Sequence, residues 1–372
     1  MLNAYAPPFK IVGLHFIFAC IYLVGLFFIY FIDQINLAFL HCFFIGFLLN
    51  TIFGSLYQLS SVVYEKALVS TKGTIFACLI FNIALCGLLY SFLKQNPLFM
   101  LYSGILIAIF IFYFLLLFLF SFHSIKTFPQ LSLLFGVIFL GFGTIFALIL
   151  IGILNGIIFL DMSSVLYYHI YFMLGSVFFI SIGAGSLLLP MFLLNHKQSL
   201  LFLKISIFAY ILSVGSYAIF AALAIILFSI WGLITIKNRM RKPYDFYNLN
   251  LMLSFICLTL ASVLLIFKYF ETALEIFIFG GILPFLIGHL YKILPFLIWY
   301  HYIAQFSGKK KVPMLNDMVK SKVALFTLAI NLILVIVSVW YPSLVIIFLG
   351  IFILSLAINL VYIFSYINFK GV

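Results

Sequence analysis

The chain has 372 residues, 67% of them hydrophobic and only 7% charged, with a mean hydropathy of +1.37. A soluble domain carries about 25% charged residues, so composition excludes a soluble enzyme or binding module and specifies a polytopic integral membrane protein in the lipid bilayer. The formal net charge of +12 raises nucleic acid as a partner; the placement of the cations along the chain removes it.

Apolar runs predict about twelve spans, near 10–32, 37–62, 71–93, 98–120, 131–154, 165–194, 200–215, 217–236, 249–267, 274–300, 323–341 and 343–366. Residues 199–236 form one run, too long for an ordinary span, and are divided at 213–216. No hydrophilic stretch is long enough for a separate domain, so residues 1–372 read as a single polytopic membrane domain. Lys66, Lys72, Lys126, Lys197, Lys237, Arg239, Arg241, Lys242, Lys309, Lys310, Lys311, Lys320 and Lys322 fall in alternate loops, with Lys370 on the same side. The opposite loops hold Asp33, Lys94, Asp161, Lys268 and Glu271. This is the positive-inside pattern. It predicts an even number of spans, both termini in the cytoplasm and a multi-pass place in the cell inner (cytoplasmic) membrane. The five cysteines all fall inside spans and make no CxxC, so they read as small apolar residues. The first span lacks a small-residue cleavage site and reads as a span, not a signal peptide.

Spans two, six and ten carry a repeat. "HCFFIGFLLNTIFGSLYQLSS" (41–61), "IYFMLGSVFFISIGAGSLLLP" (170–190) and "EIFIFGGILPFLIGHLYKILP" (275–295) share a pair of glycines eight positions apart. The pairs are Gly46/Gly54, Gly175/Gly183 and Gly280/Gly288, and Tyr57 and Tyr291 also coincide. Glycines at this spacing let helices approach closely. The linked spans are four apart, which predicts repeat units near 1–125, 126–245 and 246–372: three pseudo-symmetric four-helix arcs.

In topology over most of its length, and in sequence at "LHCFFIGFLLNTIFGSLYQL", "HIYFMLGSVFFISIGAGSLLLPMF" and "GHLYKILPFLIWYHY", the chain resembles subunit I of the haem–copper oxidase superfamily, and more closely its lone-subunit relatives of the NnrS type and related uncharacterised proteins. The resemblance implies twelve helices around a pseudo-threefold axis. In the oxidases a His early in the second span is an axial ligand of the low-spin haem, and His41 matches it in span and depth. His169 lies in the span that supplies a copper ligand, with its register off by one. The family's remaining ligands are missing. After span six there is only His196, and span ten has Glu275 where a haem-ligating His is looked for. The resemblance therefore implies a haem b protein, with copper as a second candidate, and not a complete oxygen-reducing oxidase. NnrS-type proteins are haem and copper proteins linked to nitric oxide resistance.

Depth sorts the ionisable residues. His41, His169 and Glu275 lie at one level of their spans, near the outer surface. His289 aligns with Ser55, 14 residues beyond His41, or about 21 Å deeper, so it cannot share an iron with His41. His15, His289 and Lys292 form an inner set. Neutral imidazoles are good haem-iron or copper ligands. A buried Lys beside a His can hold an anionic group such as a haem propionate or a quinone oxygen, or relay protons. It can also simply snorkel towards the interface, and a lone intramembrane His often does no more than satisfy a neighbouring carbonyl. His123, His196 and His301 read as interfacial. No CxxCH, Walker loop or HExxH is present.

Two main readings of function follow. One is a haem-binding membrane protein used for electron transfer, with a redox partner or quinol, or for handling nitric oxide or oxidative stress. The other is a transporter, or a metal- or haem-handling assembly protein, built on the same bundle. A structural subunit of a respiratory complex is a third.

Overall fold

The computed structural model describes residues 9–122, 124–195, 199–215, 218–241 and 243–370. Among these residues the regular structure is helical, with no strand. The helices are α1 (Phe9–Ile32), α2 (Leu37–Ser61), α3 (Thr74–Lys94), α4 (Pro97–Ser121), α5 (Phe128–Leu154) and α6 (Met162–Leu193). They continue as α7 (Leu201–Gly215), α8 (Ala218–Lys237), α9 (Phe246–Ile266), α10 (Phe270–Phe306), α11 (Ser321–Trp340) and α12 (Pro342–Asn368). All but α7 are long and apolar enough to cross a bilayer, eleven among the described residues. Helix α7 has twelve α-helical residues and a three-residue 3-10 turn, roughly 24 Å in all, against a hydrocarbon core of about 30 Å. The protein is a multi-pass, all-helical membrane protein, as its composition requires.

The chain divides into two compact units, Met1–Leu187 and Leu188–Val372. In the first, α1 packs on α2 and α3, α3 on α4, and α4 on α5. In the second, α8 packs on α7 and α9, and α10 packs on α9, α11 and α12. Helices α2 and α10 are the inner ones: 78% of the central window of each is buried, against 39–56% for the other spans. His41, Glu275, His289 and Lys292 sit on these two, where a polar group can find protein partners instead of lipid, while His15 lies on α1 and His169 on α6.

Glycine governs the close approaches. A methyl group at Gly46 would fall 2.5 Å from Cγ of Tyr22 on α1, and one at Gly54 would fall 3.3 Å from Cβ of His15. In the second unit, one at Gly280 would fall 2.7 Å from Sγ of Cys257 on α9, and one at Gly288 would fall 3.2 Å from Cβ of Asn250. Tyr22 and Cys257 are 235 positions apart, as are His15 and Asn250; the glycines are 234 apart. The α1–α2 and α9–α10 pairs therefore meet through equivalent residues. Gly183 of α6 likewise packs on the preceding helix, with Leu133 Cγ 2.8 Å from its would-be methyl.

Helices α2 and α10 share a second feature that the sequence does not announce. Each opens with a short α-helical stretch, Leu37–His41 and Phe270–Glu275, and then widens into a π-helix, Cys42–Leu49 and Ile276–Ile282. The first glycine of the repeat is the fifth residue of both π segments. Widening leaves carbonyls off the regular ladder, and side chains take them up. Asn50 Nδ2 donates to the Gly46 carbonyl at 2.9 Å and Thr51 Oγ1 to that of Phe47 at 2.7 Å. Asn331 Nδ2 donates to the Phe279 carbonyl at 2.9 Å and Ser254 Oγ to that of Gly281 at 2.7 Å. In α10 the proximate cause is Pro284, which has no N–H to return to the carbonyl of Gly280. The corresponding stretch of α6 stays α-helical.

Candidate functional site

His41 closes the first turn of α2. Asn36 caps that turn, its Oδ1 accepting from the Phe39 amide at 2.7 Å. The His41 ring turns back along the helix, and its Nδ1 pairs with the Leu37 carbonyl at 2.8 Å. A carbonyl only accepts, so Nδ1 carries the proton and Nε2 is left with a lone pair. The ring lies against Phe92 of α3, centroids 4.5 Å apart.

His169, in the second turn of α6, makes the same bargain across helices: its Nδ1 pairs with the Gly143 carbonyl of α5 at 3.0 Å. Both imidazoles are partly exposed. Both belong to the first unit, and the charge of one is felt at the other. An imidazole whose Nδ1–H is held by a carbonyl has its tautomer and orientation fixed and presents Nε2 as the ligand atom, as metal-bound histidines do. Glu275 belongs to the second unit. It directly precedes the π segment of α10, as His41 precedes that of α2, and Glu271 is within its electrostatic reach.

Of the inner set, His15 lies in the first unit and His289 and Lys292 in the second. His289 is buried, its Nδ1 paired with the Phe285 carbonyl at 2.8 Å and its ring between those of Phe285 and Tyr247. Lys292 is buried but already engaged. Its Nζ donates to Asp245 Oδ2 at 3.0 Å and to Asn316 Oδ1 at 2.8 Å. It also lies 5.3 Å and 5.5 Å from the ring centres of Phe246 and Tyr247, distances typical of cation–π contact. Asp245 is in turn the N-cap of α9, its Oδ1 accepting from the Asn248 amide at 3.0 Å. One ammonium thus ties α10 to the start of α9 and to the loop before α11. Its charge is met inside the protein. His301 sits in a further π segment, Trp299–Ile303. His123 and His196 lie outside the described residues.

Sequence reasoning did not single out Asp245, Asn316, Asn50 or Asn82. Asp245 had a signal, an acidic residue just before an apolar helix. Asn50 and Asn82 had one too, a lone amide inside an apolar run.

Among the described residues no three His, Cys, Asp or Glu side chains gather as a metal site. Comparison with protein-family models, curated proteins and solved structures finds no match for the chain.

Proposed function

We propose that this chain is a haem-binding membrane protein of oxidase-like architecture, used for electron transfer or for handling nitric oxide or oxidative stress. The observation that carries this reading is the His41–His169 pair, each Nδ1–H held by a main-chain carbonyl and each Nε2 bearing a lone pair. The donor set discriminates between cofactors. A metal ion held by protein alone draws on three or four side chains. A porphyrin supplies four of the iron's ligands and asks the protein for no more than two. Two imidazoles therefore fit haem b, and fit a copper centre less well.

In this reading His41 and His169 hold the iron, while Leu37 and Gly143 keep both rings in the tautomer that binds. A haem held by two histidines supplies one-electron transfer. Phe92 packs against the His41 ring and shields one side of it. A redox protein or quinol is the partner such a site requires. The protein then lies in the cytoplasmic membrane with both termini inside, as its loop charges imply, and the glycine-mediated helix pairs support the three-arc architecture.

The test is a reduced-minus-oxidised visible spectrum of the full chain, purified from cells able to make haem, beside His41→Ala and His169→Ala variants. A b-type spectrum in the parent, lost or shifted in both variants, is expected. A flat spectrum in the parent overturns the proposal and moves the weight to transport or cofactor assembly.

A further inference from the structure

The first unit contains a second polar centre that the haem reading does not use. His15 is fully buried on α1, facing Asn50 of α2 and Asn82 of α3. Main-chain carbonyls fix how both amides point, and Cys78 Sγ also lies 3.6 Å from His15 Nδ1. Asn50 Nδ2 donates to the Gly46 carbonyl at 2.9 Å and to Asn82 Oδ1 at 3.0 Å. Asn82 Nδ2 donates to the Cys78 carbonyl at 2.8 Å. The carbonyl of Gly46 can only accept, so the Asn50 amide is oriented with Oδ1 towards His15. His15 Nδ1, 3.0 Å away, is therefore its proton donor. The consequence falls on the other ring nitrogen. His15 Nε2 is an unprotonated acceptor, wholly buried, with no protein donor.

It is not alone. Tyr57 stacks on the His15 ring, centroids 5.6 Å apart and planes 25° from parallel. The Tyr57 hydroxyl is also buried without a protein partner, as are Gln58 Oε1, Ser60 Oγ and Ser61 Oγ. These four side chains occupy little more than one turn of α2, next to the loop that carries Lys66 and Lys72. The repeat supplies a control. Tyr291 is the counterpart of Tyr57 in α10, and its hydroxyl accepts from Asn359 Nδ2 at 3.3 Å. The first unit offers Tyr57 no such amide.

We propose that the first unit holds a short file of internal water molecules that begins on His15 Nε2 and the Tyr57 hydroxyl and runs past Gln58, Ser60 and Ser61 towards the Lys66 end of α2. Buried polar groups are almost always hydrogen-bonded. An internal water typically makes about three hydrogen bonds to otherwise unpaired groups, and this cluster presents both acceptors and hydroxyl donors. The file connects a proton acceptor deep in the bundle to one end of the helices, independently of any haem.

The test is water-edited solid-state NMR of the full chain in lipid bilayers, with isotope-labelled histidine and the His15 signal assigned by His15→Gln. The expected result is an Nδ1-protonated His15 that receives magnetisation from water at short mixing time. Loss of that transfer is expected in Tyr57→Phe, and slowing in Ser61→Ala, with the His41 and His169 signals unmoved. A parent protein whose His15 receives nothing from water while exposed sites do overturns the proposal. So does a folded Tyr57→Phe variant with unchanged transfer. The haem content of the sample affects neither outcome.

Discussion

Burial of a histidine among apolar helices forces a choice of tautomer, and His15, His41, His169 and His289 all resolve it by giving the Nδ1 proton to an oxygen. For His41 and His289 the acceptor is the carbonyl one turn earlier on the same helix, so both the residue and its partner were within reach of sequence reasoning. His169 and His15 use partners on other helices, which no periodicity reveals. The same limit hid the Lys292–Asp245 pair, whose members are 47 positions apart. Lys292 stood out in the sequence as an isolated charge, but its counter-charge did not. Lys292→Met leaves Asp245 without its cation. Asp245 is itself 30% exposed, so the expected loss is about 1–3 kcal/mol, below the 3–5 kcal/mol typical of breaking a fully buried pair. Thermal unfolding in detergent measures it, and Lys292→Met with Asp245→Asn should recover part of the loss. Outside the membrane, Asp161 at the start of α6 accepts from the hydroxyls of Ser164 and Ser163 and from the Ser164 amide, which hold its carboxyl down to about 2. A carboxylate depressed in the fold stabilises it above its unfolded value of about 4. That contribution is lost as pH falls from about 4 to about 2. A carbon-13 titration of Asp161 should show the low midpoint.

At the scale of helices, the glycine pairs were legible because small residues leave a simple pattern. The π segments around the first glycine of two of these pairs were not. A π turn depends on which side chains capture its loosened carbonyls, and only Pro284 marked its place in advance. Asn50 serves the π segment of α2, Asn82 and His15 together. Asn50→Leu should strand the buried His15 Nδ1 proton and the Gly46 carbonyl, each worth about 1–3 kcal/mol when unpaired. Because α9 and α10 rely on Asn331 and Ser254 instead, limited proteolysis of Asn50→Leu should open loops of the first unit before those of the second. Gly46→Leu drives a side chain into Tyr22 and is expected to cost about 1–3 kcal/mol or more by overpacking. Gly156 is the contrast: it turns a loop at φ +68° with nothing within 4 Å of a would-be methyl, so Gly156→Asn should be close to neutral, Asn being a tolerated left-handed residue. Unfolding midpoints of the two variants check this.

For the molecule as a whole, composition and hydropathy were sufficient to read a multi-pass helical bundle, since only helices satisfy a chain this apolar in lipid. Most helix ends lie within a few residues of the expected span ends, and the split near 213–216 coincides with the 3-10 turn Ser213–Gly215 that closes α7. The two compact units could not be read from the sequence, because contact density depends on packing between helices that are remote in the chain. Charge placement leads to a direct test of orientation. In a background without the native cysteines, Ser163→Cys at the exposed first turn of α6 and Ser307→Cys in the loop after α10 lie at ends of opposite charge class. A membrane-impermeant maleimide added outside intact cells should label the first and spare the second. Labelling of both, or of Ser307→Cys alone, would reverse or break the assigned topology.

Taken as a span, the described residues of α7, Leu201–Gly215, fall short of the hydrocarbon core by roughly 6 Å. Lipid beside it must shorten its reach, or head groups must dip towards Gly215, at a cost of fractions of a kcal/mol per ångström. Shorter acyl chains relieve that mismatch. The protein should therefore gather thin-leaflet lipid on one flank, and its melting temperature should rise as the chains of the host bilayer are trimmed towards the length of this one helix.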